Sequence, residues 1–463
     1  MQNRLIGDKQ FYKRVFALTI PIMVQNGITN FVNMLDNVMV GSIGTCEMIG
    51  VSVTNQLIMV FNLCIFGAVS GAGIFGAQFF GKKDYSGMRD TFRFKVLLSS
   101  LLSLAAILLF VLLGKNLINL YLSGEGALED VQLSYSSARE YMLVMLVGLL
   151  PSAIVQSYSS TLREAGQTKA PMFAGVLAVF VNLSLNYVLI GGHFGAPALG
   201  VIGAATATVI SRFFELGFII VWCRRNKEKT LYINGAYDSF KIPTRLTVDI
   251  LKKGIPLMLN ETAWAAGVAM LAKCYSERGL NIVGATNIAQ TFQNLFSVAF
   301  IALGATAGII LGQHLGAGRT EQARDESKKL IFFSVSVSAL IGVVYFFCAS
   351  FIPNFYNTND EVKHIATNMM RISAVALPID AFVNAAYFTL RSGGKAFVTF
   401  LFDSCFMWCV NVSLAIILVK CTTLTILPIY AMCQFIQLVK CVIGFILVQR
   451  GNWIKNIVSN VGE

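Results

Sequence analysis

The residues of this chain that could do chemistry are a few acids embedded in apolar sequence. Asp36 closes the stretch from Pro21 to Asp36, which also carries the amides Gln25, Asn26, Asn30 and Asn33. Glu261 and Asp380 stand in comparable stretches with no partner on their own segment. An ionisable group inside a membrane helix costs roughly 2.5–3.5 kcal/mol on insertion scales and marks an ion or substrate path. A proton and a metal cation compete for a carboxylate at such depth. That competition is the physics of an ion-coupled exchanger. The amides around Asp36 could equally satisfy the acid inside a helix bundle, so both readings stand at this point.

Asn182 and Asn186 lie four residues apart and share one helix face, with Asn186 at a depth close to that of Asp36. Thr206 and Thr208 follow on the next apolar segment. The candidate ion-coupling set is therefore Asp36, Asn182, Asn186 and Thr208, with Glu261 and Asp380 as a second set. Gln25, Asn33, Trp264 and Tyr387 are candidates for the substrate cavity. Neutral oxygens around one carboxylate suit a monovalent cation or a proton relay better than Mg²⁺, which demands near-ideal octahedral geometry. No cofactor is expected. The coupling cation is H⁺ or Na⁺, with Na⁺ held at Asp36 or at Glu261 and Asp380. A lone acid among neutral groups tips the balance slightly to H⁺.

The elements that must position these residues follow from composition. Hydrophobic residues make up 56% of the chain and charged residues 13%, with 35 phenylalanines and a mean hydropathy of +0.67. That is the profile of a polytopic membrane protein. Twelve runs reach the ~20 residues that span a ~30 Å apolar core: 14–40, 49–79, 96–121, 140–160, 170–192, 198–223, 250–275, 284–315, 330–352, 365–390, 396–419 and 424–448. Lipid offers no hydrogen bonds to the backbone, so each is expected to be helical. The first run is too long for the apolar core of a cleavable signal.

The net charge of +12 is a topology signal, not a mark of nucleic-acid binding. Numbering the connections alternately puts 27 Lys and Arg on one side and five on the other. By the positive-inside rule both termini are cytoplasmic, in agreement with an even helix count. The ten cysteines and three histidines are scattered without metal-ligand spacing, apart from Cys405 and Cys409 one turn apart. They read as small or isolated side chains on membrane helices.

A repeat organises the chain. An offset of 235 aligns Ile20-Pro21 with Ile255-Pro256, Gly73 with Gly308, Gln78 with Gln313, Gly81 with Gly316 and Arg89-Asp90 with Arg324-Asp325. The offset slips to 228 at Thr161-Leu162-Arg163 against Thr389-Leu390-Arg391, and to 229 at Val181-Asn182 against Val410-Asn411. Six helices per half give both halves one orientation, related by an axis along the membrane normal. The expected organisation is a first lobe over 1–223 and a second over 250–463, joined by the basic stretch 224–249, read as a solvated cytoplasmic linker.

Other motifs carry less. Gly71-Ala-Gly73-Ile-Phe-Gly76 matches the dinucleotide fingerprint in letters only, since it lies inside a membrane helix with no preceding strand; close helix packing is its reading. No phosphate-binding Gly-x-x-x-x-Gly-Lys-[Ser/Thr] occurs, leaving an ion gradient as the energy source. Arg212 and Glu215 are spaced to neutralise each other, while Lys273 and Lys440 are close enough to helix ends to snorkel. Asp403 is a weaker functional candidate.

Twelve helices, the six-plus-six repeat and several local patterns together resemble the multidrug and toxic compound extrusion (MATE) family of cation-coupled exporters. The patterns are Pro21 followed by Asp36 and Gly41, Gln78-Phe-Phe-Gly81, Leu162-Arg163-x-x-Gly166, Gly200-Val-Ile-Gly203-Ala-Ala-Thr-Ala-Thr208, and Asp380 ahead of Leu390-Arg391-x-Gly393. The resemblance implies an all-α, V-shaped, two-lobed antiporter. It would export cationic or amphiphilic compounds by alternating access in exchange for H⁺ or Na⁺. Asp36 and Asp380 fall on the family's acidic positions in helices 1 and 10. Trp264 stands where the family commonly has its helix 7 acid, Glu261 lies one turn away, and Asn186 replaces an acid that some members carry on helix 5. A lipid-linked precursor flippase of the wider superfamily and a membrane-embedded enzyme are the alternatives. The first would need a strongly cationic cavity, the second clustered acids or histidines on one loop. The expected protein is a non-enzymatic monomer in the plasma membrane, with partners confined to small molecules and lipid and none among nucleic acids.

Overall fold

The computed structural model describes residues 5–41, 43–122, 128–356 and 358–459, without the side chains of residues 32–34, 37, 38, 128 and 280. The described residues are mostly helical, with no strand among them. In the first half the helices are α1 Lys9–Gly41, α2 Thr45–Lys82, α3 Tyr85–Leu122, α4 Leu128–Glu164, α5 Lys169–Gly191 and α6 Gly200–Arg225. In the second they are α7 Thr244–Ser276, α8 Leu280–Gly316, α9 Thr320–Cys348, α10 Asp360–Ser392, α11 Ala396–Cys421 and α12 Ile426–Gln449. Among the described residues eleven of these are long and apolar enough to cross a membrane, and α1, of 33 residues, carries the twelfth expected span. Helices of 33–38 residues rise about 50–57 Å, so many outrun the apolar core at one or both ends.

Local geometry repeats with the sequence. Pro21 in α1 and Pro256 in α7 each remove one intrahelical hydrogen bond at equivalent positions. Gly166 and Gly394, after α4 and α10, take φ of 77° and 74°, a left-handed turn that favours glycine. One departure matters: α11 is not a uniform α-helix. Leu401–Cys405 and Met407–Val412 are π-helical, which places Asp403 in a widened turn.

By packing, the chain divides into two units that do not follow the repeat: residues 24–76 with 85–248, and residues 1–23, 77–84 and 249–463. In the first unit Leu57, Phe61 and Ile65 of α2 meet Phe110 and Ile118 of α3 and Met142 and Leu149 of α4. Beside this core Lys95 of α3 is bonded to both carboxylate oxygens of Glu164 at 2.6 Å. Methyl groups on Gly73 and Gly76 would collide with that carboxylate, so the glycines of α2 make room for a buried ion pair. The stretch after α6 is not the solvated linker its composition suggests. Tyr232 and Ala236 are buried. Arg93 donates to the carbonyls of Ala236 and Gly235 at 2.7 and 2.9 Å, and the Tyr158 and Tyr237 hydroxyls meet at 2.6 Å. Two arginines counted as loop charges, Arg89 and Arg93, instead fasten this segment to α3.

In the second unit the start of α1 presents Phe11, Val15, Leu18 and Ile22 at spacings of four, three and four, one helical stripe. That stripe packs with Leu303 and Ile310 of α8, Leu330 of α9 and Leu390 of α10. Gly81 lies against the backbone of Gln313, and its repeat partner Gly316 against the backbone of Gln78, leaving no space for a Cβ at either. This reciprocal approach explains why residues 77–84 pack here. The chain's last described segment seals the same region. Trp453 is fully buried, Gln78 donates to the carbonyls of Ser392 and Lys455 at 3.0 and 3.1 Å, and it accepts from the Ile457 amide at 2.8 Å.

Candidate functional site

Four residues on three helices form one hydrogen-bonded ladder in the first unit. Asn186 Nδ2 donates to Asp36 Oδ1 at 2.6 Å and to Asn182 Oδ1 at 3.1 Å. Asn182 Nδ2 donates to Thr208 Oγ1 at 3.2 Å, and Thr208 returns its hydrogen to the Ala204 carbonyl at 3.1 Å. The four-residue spacing on α5 stacks the two asparagines on one face. Tyr141 of α4 adds a phenol against Thr208 and Asn55. Arg212 acts on Asp36 electrostatically, yet its guanidinium is bonded to Glu215 at 2.8 Å, as their spacing predicts. The Asp36 carboxylate is therefore steadied by an amide and not closed by a direct ion pair with Arg212. Among the described residues the buried carbonyl oxygen of Asn186 has no hydrogen-bond partner.

A different network occupies the second unit. Tyr387 of α10 donates to Glu261 at 3.1 Å, and Arg391 approaches the same carboxylate oxygen at 3.9 Å. Asn260 reaches Tyr387 at 3.3 Å and Asp403 Oδ2 at 3.2 Å. Lys440 of α12 bonds the other Asp403 oxygen. Asp380 interacts electrostatically with the same lysine. Glu261 faces Arg391 and Asp403 pairs with Lys440. Among the described residues Glu261 is bonded by Tyr387, and the charge of Lys440 also acts on Asp380. Lys440 does not snorkel; it is buried and paired.

The family model described as MatE matches residues 21–188 and 258–417, well over half of the chain. The chain belongs to the multidrug and toxic compound extrusion family. A Thermotoga maritima relative named probable multidrug resistance protein NorM is 25% identical over 416 residues, covering 88% of this chain and 86% of its own length. Among solved structures, an outward-facing multidrug resistance MATE transporter of the MOP superfamily superposes with a TM-score of 0.85 at 20% identity, covering 98% of both chains. A MOP-superfamily transporter from Pyrococcus furiosus whose binding pocket is of reverse polarity superposes at 0.86 and 20% identity, covering 97% of each chain. The fold is that of MATE transporters.

The remaining sequence candidates scatter on this MATE fold. Gln25 accepts from Arg163 at 2.6 Å. Trp264 is 44% exposed and joins neither network, and Thr206 bonds only its own helix, at Ile202. The Asn33 side chain lies outside the described residues. The repeat reappears in chemistry: Arg163 and its partner Arg391 each close on the helix 1 or helix 7 segment, one meeting an amide and the other an acid. Sequence reading passed over Asn260 and the Asp403–Lys440 pair. The signal was present, because Asp403 lies seven residues after α11 begins and Lys440 nine before α12 ends. Opposite charges at matching depth on consecutive antiparallel helices are partners for each other.

Proposed function

We propose that this protein is a secondary active efflux transporter. It exports cationic or amphiphilic small molecules across the plasma membrane by alternating access, in exchange for H⁺ or Na⁺. The observation that carries the reading is the ladder Asp36–Asn186–Asn182–Thr208: one acid at membrane depth, steadied by neutral donors and not closed by a direct ion pair with Arg212. A carboxylate so placed takes up one proton or one monovalent cation and is then neutral. Glu261 and Asp403 of the second unit already lie within ion-pair distance of Arg391 and Lys440, and the proposal therefore assigns exchange with the coupling ion to Asp36. Of the two ions the proposal favours H⁺, since a proton needs no fixed set of ligands whereas Na⁺ needs several oxygens. The working halves are 1–223 and 250–463, with both termini cytoplasmic, and the protein acts as a monomer.

The names of the curated relatives, probable multidrug resistance proteins, support this direction. The flippase alternative needs free cations at depth, but Lys95, Arg212, Arg391 and Lys440 each have an acid within ion-pair distance. The test is efflux of a fluorescent organic cation from proteoliposomes with pH and Na⁺ gradients imposed separately. Wild type is expected to respond to the pH gradient and Asp36→Asn to neither gradient. Wild-type efflux by well-folded Asp36→Asn would refute the assignment. Efflux driven by Na⁺ at equal pH and insensitive to a protonophore would make Na⁺ the coupling ion.

A further inference from the structure

The ammonium of Lys440 sits in a cage of a particular kind. It is bonded to Asp403 Oδ1 and lies 5.1 and 5.9 Å from the ring centroids of Phe402 and Phe406. Asp380, on α10, adds a second negative field. One carboxylate with two aromatic faces around a cationic nitrogen is the arrangement by which proteins recognise organic ammonium groups. The cage is also built with care. Asp403 stands in the π-helical turn Leu401–Cys405, and its second oxygen is fixed by Asn260, which Ser404 holds in turn at 2.8 Å. Lys440 is 5% exposed but Asp403 is 19% exposed, so the acid can be approached while its present occupant is sealed behind it.

The last helix of each half carries a base, and the two behave differently. Arg212 of α6 is bonded to Glu215 on its own helix, whereas Lys440 of α12 bonds an acid on a neighbouring helix. Among the described residues the first unit's carboxylate is met by an amide and the second unit's by a lysine.

We propose that Lys440 is a tethered occupant of an organic-cation subsite formed by Asp403, Phe402 and Phe406, and that a transported cation binds by displacing it. Asp380 then neutralises the displaced ammonium. This rests on the efflux reading for its biological sense, but not for its measurement. Internal competition lowers the affinity for cations and leaves that for uncharged compounds untouched, which makes Lys440 a determinant of specificity.

Equilibrium binding to the full-length protein purified in detergent tests this, with ethidium as the cationic probe and an uncharged dye of similar size as the control. Lys440→Met keeps the apolar stem and removes the charge. It is expected to tighten ethidium about ten- to hundredfold, the worth of one charge-assisted bond, with the uncharged dye unchanged. Asp403→Asn is expected to weaken ethidium by a similar factor, and Lys440→Arg to stay near wild type. General damage to the fold would not move the first two variants in opposite directions. Unchanged or weaker ethidium binding in Lys440→Met of wild-type melting behaviour overturns the proposal, and so does unchanged binding in Asp403→Asn if the lysine variant does not fold. If the binding pattern holds while proteoliposomes show no efflux, the transport reading fails and the subsite stands.

Discussion

Replacing Lys95 by methionine should be among the most damaging changes available in the first unit, and its repair should come from a second mutation. The ammonium lies 2.6 Å from both oxygens of Glu164, with side chains 0% and 7% exposed. At that distance an effective dielectric of 20 gives about 6 kcal/mol of Coulomb attraction, most of it offset by the desolvation of two charges. The pair is therefore worth little net, but breaking it is costly. Lys95→Met leaves a buried carboxylate supported by the Ser160 hydroxyl at 2.5 Å, a loss of about 3–5 kcal/mol. In Lys95→Met with Glu164→Gln both members of the pair are neutral, and the deficit should fall to about 1–2 kcal/mol for weakened hydrogen bonds. Thermal unfolding of the four detergent-purified proteins reads this directly as a double-mutant cycle. The double mutant should melt above Lys95→Met. Additive losses, or a Lys95→Met protein melting with wild type, would show that burial and pairing at this site were misjudged.

Removing the amide donor with Asn186→Ala should impair coupled efflux in proteoliposomes without loss of expression, and Asn186→Asp should shift the pH dependence of transport if this ladder holds the coupling ion. Glu261→Gln and Asp380→Asn should alter drug affinity in binding titrations more than they alter ion dependence, since Arg391 lies beside Glu261 and the charge of Lys440 acts on Asp380. Trp453→Ala should lower stability by about 3–5 kcal/mol, the scale for an aromatic side chain lost from a core, seen as a lower melting midpoint. A single cysteine at Lys229 should resist impermeant thiol reagents applied to intact cells and react once the membrane is opened.

Hydropathy and periodicity account for most of what was legible in the sequence. Twelve apolar runs fix twelve helices because lipid leaves the backbone no other option, and the i, i+4 spacing by itself puts Asn182 and Asn186 on one face of α5. Asp36 meets them because its depth matches that of Asn186. The second unit was harder. The role of Lys440 depends on which way one side chain turns, towards a helix end or towards α11, and hydropathy is blind to that. The π-helical turn at Asp403 has no local sequence mark. Nor does composition reveal that Arg89 and Arg93 would pin the stretch after α6, because a basic loop looks the same whether it is solvated or docked.

The position of α1's first turns has a consequence for how the protein is made. Residues 1–23 belong to a unit completed by residues 77–84 and 249–463. Thr19 bonds Thr306 at 2.9 Å across a sequence separation of 287, and Arg14 pairs with Glu326 across 312. At roughly 5–20 residues per second of synthesis, Arg14 waits about 15–60 s for its acid to leave the ribosome. The segment inserted first is among the last to be packed. During that interval a buried hydroxyl and a cation must be shielded by lipid headgroups or insertion machinery, while residues 24–76 and 85–248 can already assemble. A chain released before α8 to α10 are made would carry a finished first unit and an unfinished second one, a half-built membrane protein with an exposed apolar stripe on its first helix.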